Sequence, residues 1–159
     1  MHGANRTGRP FTGDHAGILL YRTLHKFGFA NRPEAVARAD GLKLKRCRIT
    51  NAVKCLPPAN KPTPAEAHTC RVYLEGELKA LSAGAVVLAL GGVAHQSVLR
   101  ALALKPSAYP FGHGVRYRLP NGLQLLTSYH CSRYNTQTRR LTPAMFEAVV
   151  REAKRLLKK

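Results

Sequence analysis

The chain has 159 residues, with 26 Lys and Arg against 8 Asp and Glu, a formal charge of +18, and 45% of its residues are hydrophobic. That is one domain's worth of chain with enough apolar material for a core, which excludes disorder, and no apolar run approaches the roughly 18 residues of a spanning helix. So basic a chain calls for a polyanion, and nucleic acid comes first because each neutralised phosphate releases condensed counterions.

The start of the chain has no hydrophobic secretory segment, so the protein reads as cytoplasmic. In a reducing compartment its four cysteines, Cys47, Cys55, Cys70 and Cys131, read as thiols or metal ligands rather than a disulfide framework. The first eleven residues mix Gly, Arg and Pro without periodicity and read as a loop. From Asp14 the pattern turns helical: Ile18, Leu19, Tyr21, Leu24 and Phe27 recur near i, i+3, i+4, with Asp14 as cap and Gly28 as stop. After a basic stretch, Cys47, Ile49, Thr50, Ala52 and Val53 predict a short strand ending at Leu56-Pro57-Pro58.

Thr63-Pro64-Ala65-Glu66 is a capping-box pattern, so a helix is expected from Pro64 to about Leu81. Ala85 to Leu90 reads as a strand buried on both faces, followed by a helix carrying Val93, Ser97, Val98 and Leu102. Val115 to Leu119 and Leu123 to Ser128 flank Asn121-Gly122, a hairpin signal. A last helix begins at Thr142-Pro143, with Met145, Phe146, Val149 and Leu156 on one side. This alternation predicts a single α/β domain in three αβα layers around a mostly parallel central sheet, with ligands beyond the carboxyl ends of the strands.

The loops in question hold the unusual residues. Gly8-Arg9-Pro10-Phe11-Thr12-Gly13-Asp14, the run from Ile49 to Pro62, and Ser128-Tyr129-His130-Cys131-Ser132-Arg133-Tyr134-Asn135-Thr136 occur in that order. Together they resemble the iron–sulfur uracil-DNA glycosylases, and His2 to Arg9 makes the family 5 (type b) branch the nearest in pattern. The resemblance extends through Ala89-Leu90-Gly91 and Arg140 to Met145. It implies a base-excision repair enzyme that flips uracil, with other deaminated bases, out of DNA and hydrolyses its glycosidic bond. The alternative is a non-catalytic, basic DNA-binding remnant of that fold. A monomer is the simplest assembly.

By the same resemblance Phe11 is the face on which the extruded base stacks; a core aromatic is the plainer reading. Asn51 pairs with the uracil edge, or else turns to solvent or backbone. Asp14 orients water or stabilises the cationic sugar, besides capping its helix. His130 donates to uracil O2 as charge develops, or contacts phosphate. Asn60 is the remaining catalytic polar position, or a turn residue before Pro62. Arg6, Arg9 and Arg133 are expected at phosphates, and Ser132, Arg133 and Asn135 on the loop pressed into the DNA. The family pattern has Pro after the His where this chain has Cys131, which removes a preset φ.

Cys55 and Cys70 match two of four ligands of a [4Fe–4S] cluster. The other two are implied upstream, in a Cys-x-x-Cys segment with a first strand and a loop closing the uracil pocket. Met1 falls inside the motif, so the expectation is an N-terminally incomplete fold or a start assigned too far downstream.

Overall fold

The structure, a computed structural model, describes residues 4–54 and 63–157. The chain forms two compact units, Met1–Thr50 with Tyr129–Arg155, and Asn51–Ser128 with Leu156–Lys159.

In the first unit, α1 (Ala4–Thr7) leads into a loop and then α2 (His15–Lys26). As expected, α2 starts because the Asp14 carboxylate accepts the Gly17 N–H at 2.8 Å. Its buried face runs Gly17, Leu20, Tyr21, Leu24, while Ile18, expected inside, is exposed. The segment from Phe29 to Lys45 doubles back through an isolated bridge between Ala30 and Leu44. After α5 (Arg133–Gln137), α6 (Pro143–Leu156) buries Phe146, Val149, Val150 and Ala153, one stripe at helical spacing. Lys154 Nζ donates to the Phe27 carbonyl at 2.8 Å, satisfying an acceptor at the end of α2, and Glu147 pairs with Lys26 at 2.6 Å.

In the second unit, α3 (Pro64–Lys79) begins with the capping box read from the sequence: Thr63 Oγ1 accepts the Glu66 N–H, and the Glu66 carboxylate accepts the Thr63 N–H. β1 (Val86–Leu90), α4 (Gly92–Ala101), β2 (Arg116–Arg118) and β3 (Gln124–Ser128) complete it. The strand order is β1-β3-β2; Leu88 pairs with Leu126 in the parallel ladder, and Tyr117 with Leu125 in the antiparallel one. The α/β class holds, and the sheet is small and mixed.

Leu74 and Leu78 of α3, Val98 and Leu99 of α4, Ala89, Leu119, Leu123 and Leu125 form one cluster over a face of this sheet. Each fully buried Leu there contributes about 1.5–3 kcal/mol.

Two expectations need correction. Residues 47–53 form no strand: extended-favouring side chains mark a segment able to pair, but a strand exists only where a neighbour supplies the ladder. β1 is not buried on both faces, since only Ala89 is fully covered and, among the described residues, β1 pairs on one side alone. The hairpin does form, with Pro120 and Asn121 at the centre of its turn. Gly122 follows at φ 84°, and Leu119 and Leu123 close the loop.

Candidate functional site

The site is built on the loop between α1 and α2. Phe11 sits at φ 55°, a left-handed backbone that non-glycine residues avoid and that persists only when neighbours enforce it. The enforcing contacts are specific. The Tyr21 hydroxyl donates to the Pro10 carbonyl at 2.8 Å, Thr7 Oγ1 to the Arg9 carbonyl at 3.1 Å, and the Gly13 N–H to the Ala35 carbonyl at 3.0 Å. The Phe11 carbonyl lies so close to α2 that a Cβ on Gly17 would stand 1.9 Å from its oxygen.

His130 enters from the segment before α5, its ring centroid 5.8 Å from that of Phe11 at a 33° tilt. Burial holds the imidazole below its ordinary pKa, and the nearby Asp14 carboxylate opposes the shift without reversing it. The ring is therefore neutral near pH 7. Asp14 Oδ1 is engaged by Gly17, while Oδ2 has no hydrogen-bond partner among the described residues. Phe11, Asp14 and His130, named from the sequence, thus meet within one unit.

Cys131 is fully buried; burial, then the Asp14 charge, pushes its thiol up to about 12, so it stays protonated. Hydrogen bonds order the loop that follows. Asn135 Nδ2 donates to the His130 carbonyl at 2.9 Å, and Ser132 Oγ caps α5 by accepting the Asn135 N–H at 3.3 Å. His15 and Thr136 meet at 3.0 Å between Nε2 and Oγ1, tying the first turn of α2 to α5. Arg133 and Tyr134 project outward, Tyr134 at 69% exposure, and the Arg140 guanidinium lies 4.7 Å over the Tyr129 ring.

Of the remaining expected residues, Arg6 is exposed, with its guanidinium against Gly13. Arg9 is engaged inside the protein: Nε donates to Thr12 Oγ1 at 2.8 Å, and Nη2 to Asp40 at 2.7 Å and to the Ala37 carbonyl at 2.9 Å. Asn51 is half-buried on the irregular stretch of the second unit. Asn60 and Cys55 lie outside the described residues, and Cys70 is buried on α3. Among the described residues no three His, Cys, Asp or Glu side chains meet as a metal site.

Gly17, Thr12 and Asp40 escaped the sequence reading. A glycine inside a helical stripe was the available sign for the first.

The family model of the Uracil DNA glycosylase superfamily matches residues 1–154. A type-5 uracil-DNA glycosylase of Thermus thermophilus is 51% identical over 98% of this chain and 70% of its own length. Those of Mycobacterium bovis and Mycobacterium leprae are 49% and 48% identical over 98% of this chain, which spans 59% and 69% of them. The chain belongs to the uracil DNA glycosylase superfamily and, within it, to the type-5 group.

Proposed function

We propose that the protein removes uracil, and other deaminated bases, from DNA by hydrolysing the N-glycosidic bond without cutting the strand. Family membership and relatives that are named type-5 uracil-DNA glycosylases support this reading. The observation that carries it is the grouping of an aromatic face, a carboxylate and a neutral imidazole in one unit.

A base drawn from the stack needs a surface to lie on, a donor for the charge it acquires on leaving, and an anion near the sugar. Phe11 supplies the surface, at about 1–3 kcal/mol per stacked base. His130, neutral and half-buried, offers a ring N–H to uracil O2, where negative charge grows as the bond stretches. The Asp14 carboxylate stabilises the cationic sugar and orients water. Water oxygen bonds to C1′ while the C1′–N1 bond breaks, its electron pair leaves with the base, and the proton passes to Asp14 or solvent.

In this reading Asn51 pairs with the uracil edge through its amide, and Asn60 is the further catalytic polar group. Ser132, Arg133 and Asn135 belong to the DNA-facing loop, with Arg6 and Arg133 as phosphate contacts. The internal bonds of Arg9 favour a role in holding its loop. Cys55 and Cys70 are our assignment for two [4Fe–4S] ligands, tested by iron and sulfide content in the purified protein and in Cys70→Ser. In this reading the protein acts on DNA as a cytoplasmic monomer; among the described residues no helix is long and apolar enough to cross a membrane.

The assay is release of uracil from a labelled single-uracil oligonucleotide, followed by alkali at the abasic site. Asp14→Asn keeps an acceptor for the α2 cap. It is expected to lose excision while binding the same DNA. Unchanged excision removes Asp14 from the chemistry, and a parent protein that binds without excising establishes the DNA-binding remnant instead.

A further inference from the structure

Asp40 lies in the segment between α2 and α3, outside the motifs of the site and 26 positions beyond Asp14. Its side chain is 4% exposed, and that of Arg9, its ion-pair partner at 2.7 Å, is 20% exposed. A carboxylate so enclosed needs its lone pairs answered. Oδ2 accepts the N–H groups of Val36 and Ala37 at 2.9 and 3.3 Å, and Oδ1 that of Leu42 at 2.9 Å. The Arg9 guanidinium, ahead of these backbone bonds, holds the carboxyl well below the usual range although burial pulls the other way.

The pair reaches the site through one residue. Arg9 Nε donates to Thr12 Oγ1 at 2.8 Å, and Thr12, 0% exposed, directly follows Phe11 at its left-handed φ. A strained residue keeps its conformation only while its surroundings over-determine it. Asp40 holds Arg9, Arg9 holds Thr12, and the backbone between Pro10 and Gly13 then presents the Phe11 ring to His130.

We propose that Asp40 is a positioning residue for base excision, acting through Arg9 and Thr12 to fix the Phe11 ring at the face where the base stacks. The inference rests on the glycosylase reading for its effect on rate, but the placement of the ring is measurable without any activity. A misplacement of about 1 Å at a reacting centre lowers rates by roughly 100-fold. Asp40→Asn keeps the side-chain shape and removes the charge that fixes the guanidinium.

Measured below its own melting range, D40N is expected to lower kcat by roughly 10- to 100-fold, with KM for uracil-containing DNA little changed. In a Phe11→Ala background the same substitution should cost little more, since residues acting as one unit are non-additive. Proton NMR of the His130 imidazole supplies the independent readout, because the Phe11 ring current moves those resonances; D40N should move them towards their positions in Phe11→Ala. If D40N fails to fold, Thr12→Val removes the link from Arg9 Nε while sparing the ion pair, and the same shifts are expected.

A D40N protein with a lowered Tm, parental kcat and unmoved His130 resonances would show a purely structural ion pair and overturn the proposal. Full additivity with Phe11→Ala would overturn it as well. Should the parent release no uracil, the functional reading fails while the His130 resonances still decide the role of Asp40.

Discussion

Gly17 matters for what it lacks. A Cβ there would stand 1.9 Å from the Phe11 carbonyl oxygen, so Gly17→Ala must push loop and helix apart. Overpacking of this kind costs about 1–3 kcal/mol. The variant should melt several degrees lower and excise more slowly at temperatures where it is folded; a parental rate would show that the loop tolerates the shift.

His95 is a second residue-scale case. It is 2% exposed, packs against Phe111 with ring centroids 5.5 Å apart at a 55° tilt, and neither ring nitrogen has a hydrogen-bond partner among the described residues. Burial holds its pKa below the ordinary 6.5, so between those values the unfolded chain binds a proton that the native ring refuses. Its stabilising contribution is complete above about pH 6.5 and declines as pH falls towards the native value. Melts at pH 7 and 5 should show a loss that His95→Leu largely removes, leaving the share of His130, shifted in the same direction. An undiminished loss in His95→Leu assigns the sensitivity elsewhere. Phe11, Asp14 and His130 were legible because motif and residue type announce them. Asp40 was not, because its partner is 31 positions away and only folding brings the two together.

Elements whose determinants are local matched their sequence signals. The box at Thr63 and Glu66 satisfies otherwise unpaired N–H groups within a single turn, so sequence and structure agree on where α3 starts. Thr63→Ala should lower stability by about 1 kcal/mol, read by chemical denaturation, and leave uracil release unchanged when folded. The hairpin was legible for a similar reason: Asn121 Oδ1 accepts the Leu123 N–H, and Gly122 takes the positive φ that a side chain would resist. Residues 47–53 show the opposite case. Their composition favours extended backbone, yet pairing is a property of two segments, and no ladder forms on this one.

At the scale of the molecule, the charge of +18 acts over a distance that salt controls. Affinity for DNA should fall linearly in log–log form with salt, and Arg133→Ala should reduce the slope by about 0.9 if it neutralises one phosphate. An unchanged slope places Arg133 off the DNA. Charge, the α/β class, the capped helices, the hairpin and the family were all determined by sequence alone, since each rests on composition, on neighbours within a turn, or on motifs read in order. Tertiary structure decided which stripe of α2 is buried, that the sheet is mixed, that Cys131 is buried, and that Arg9 turns inward to Asp40. Those outcomes depend on partners distant in the chain, and a linear pattern does not say which of two chemically suitable partners, a phosphate or a carboxylate, the fold will bring to a guanidinium.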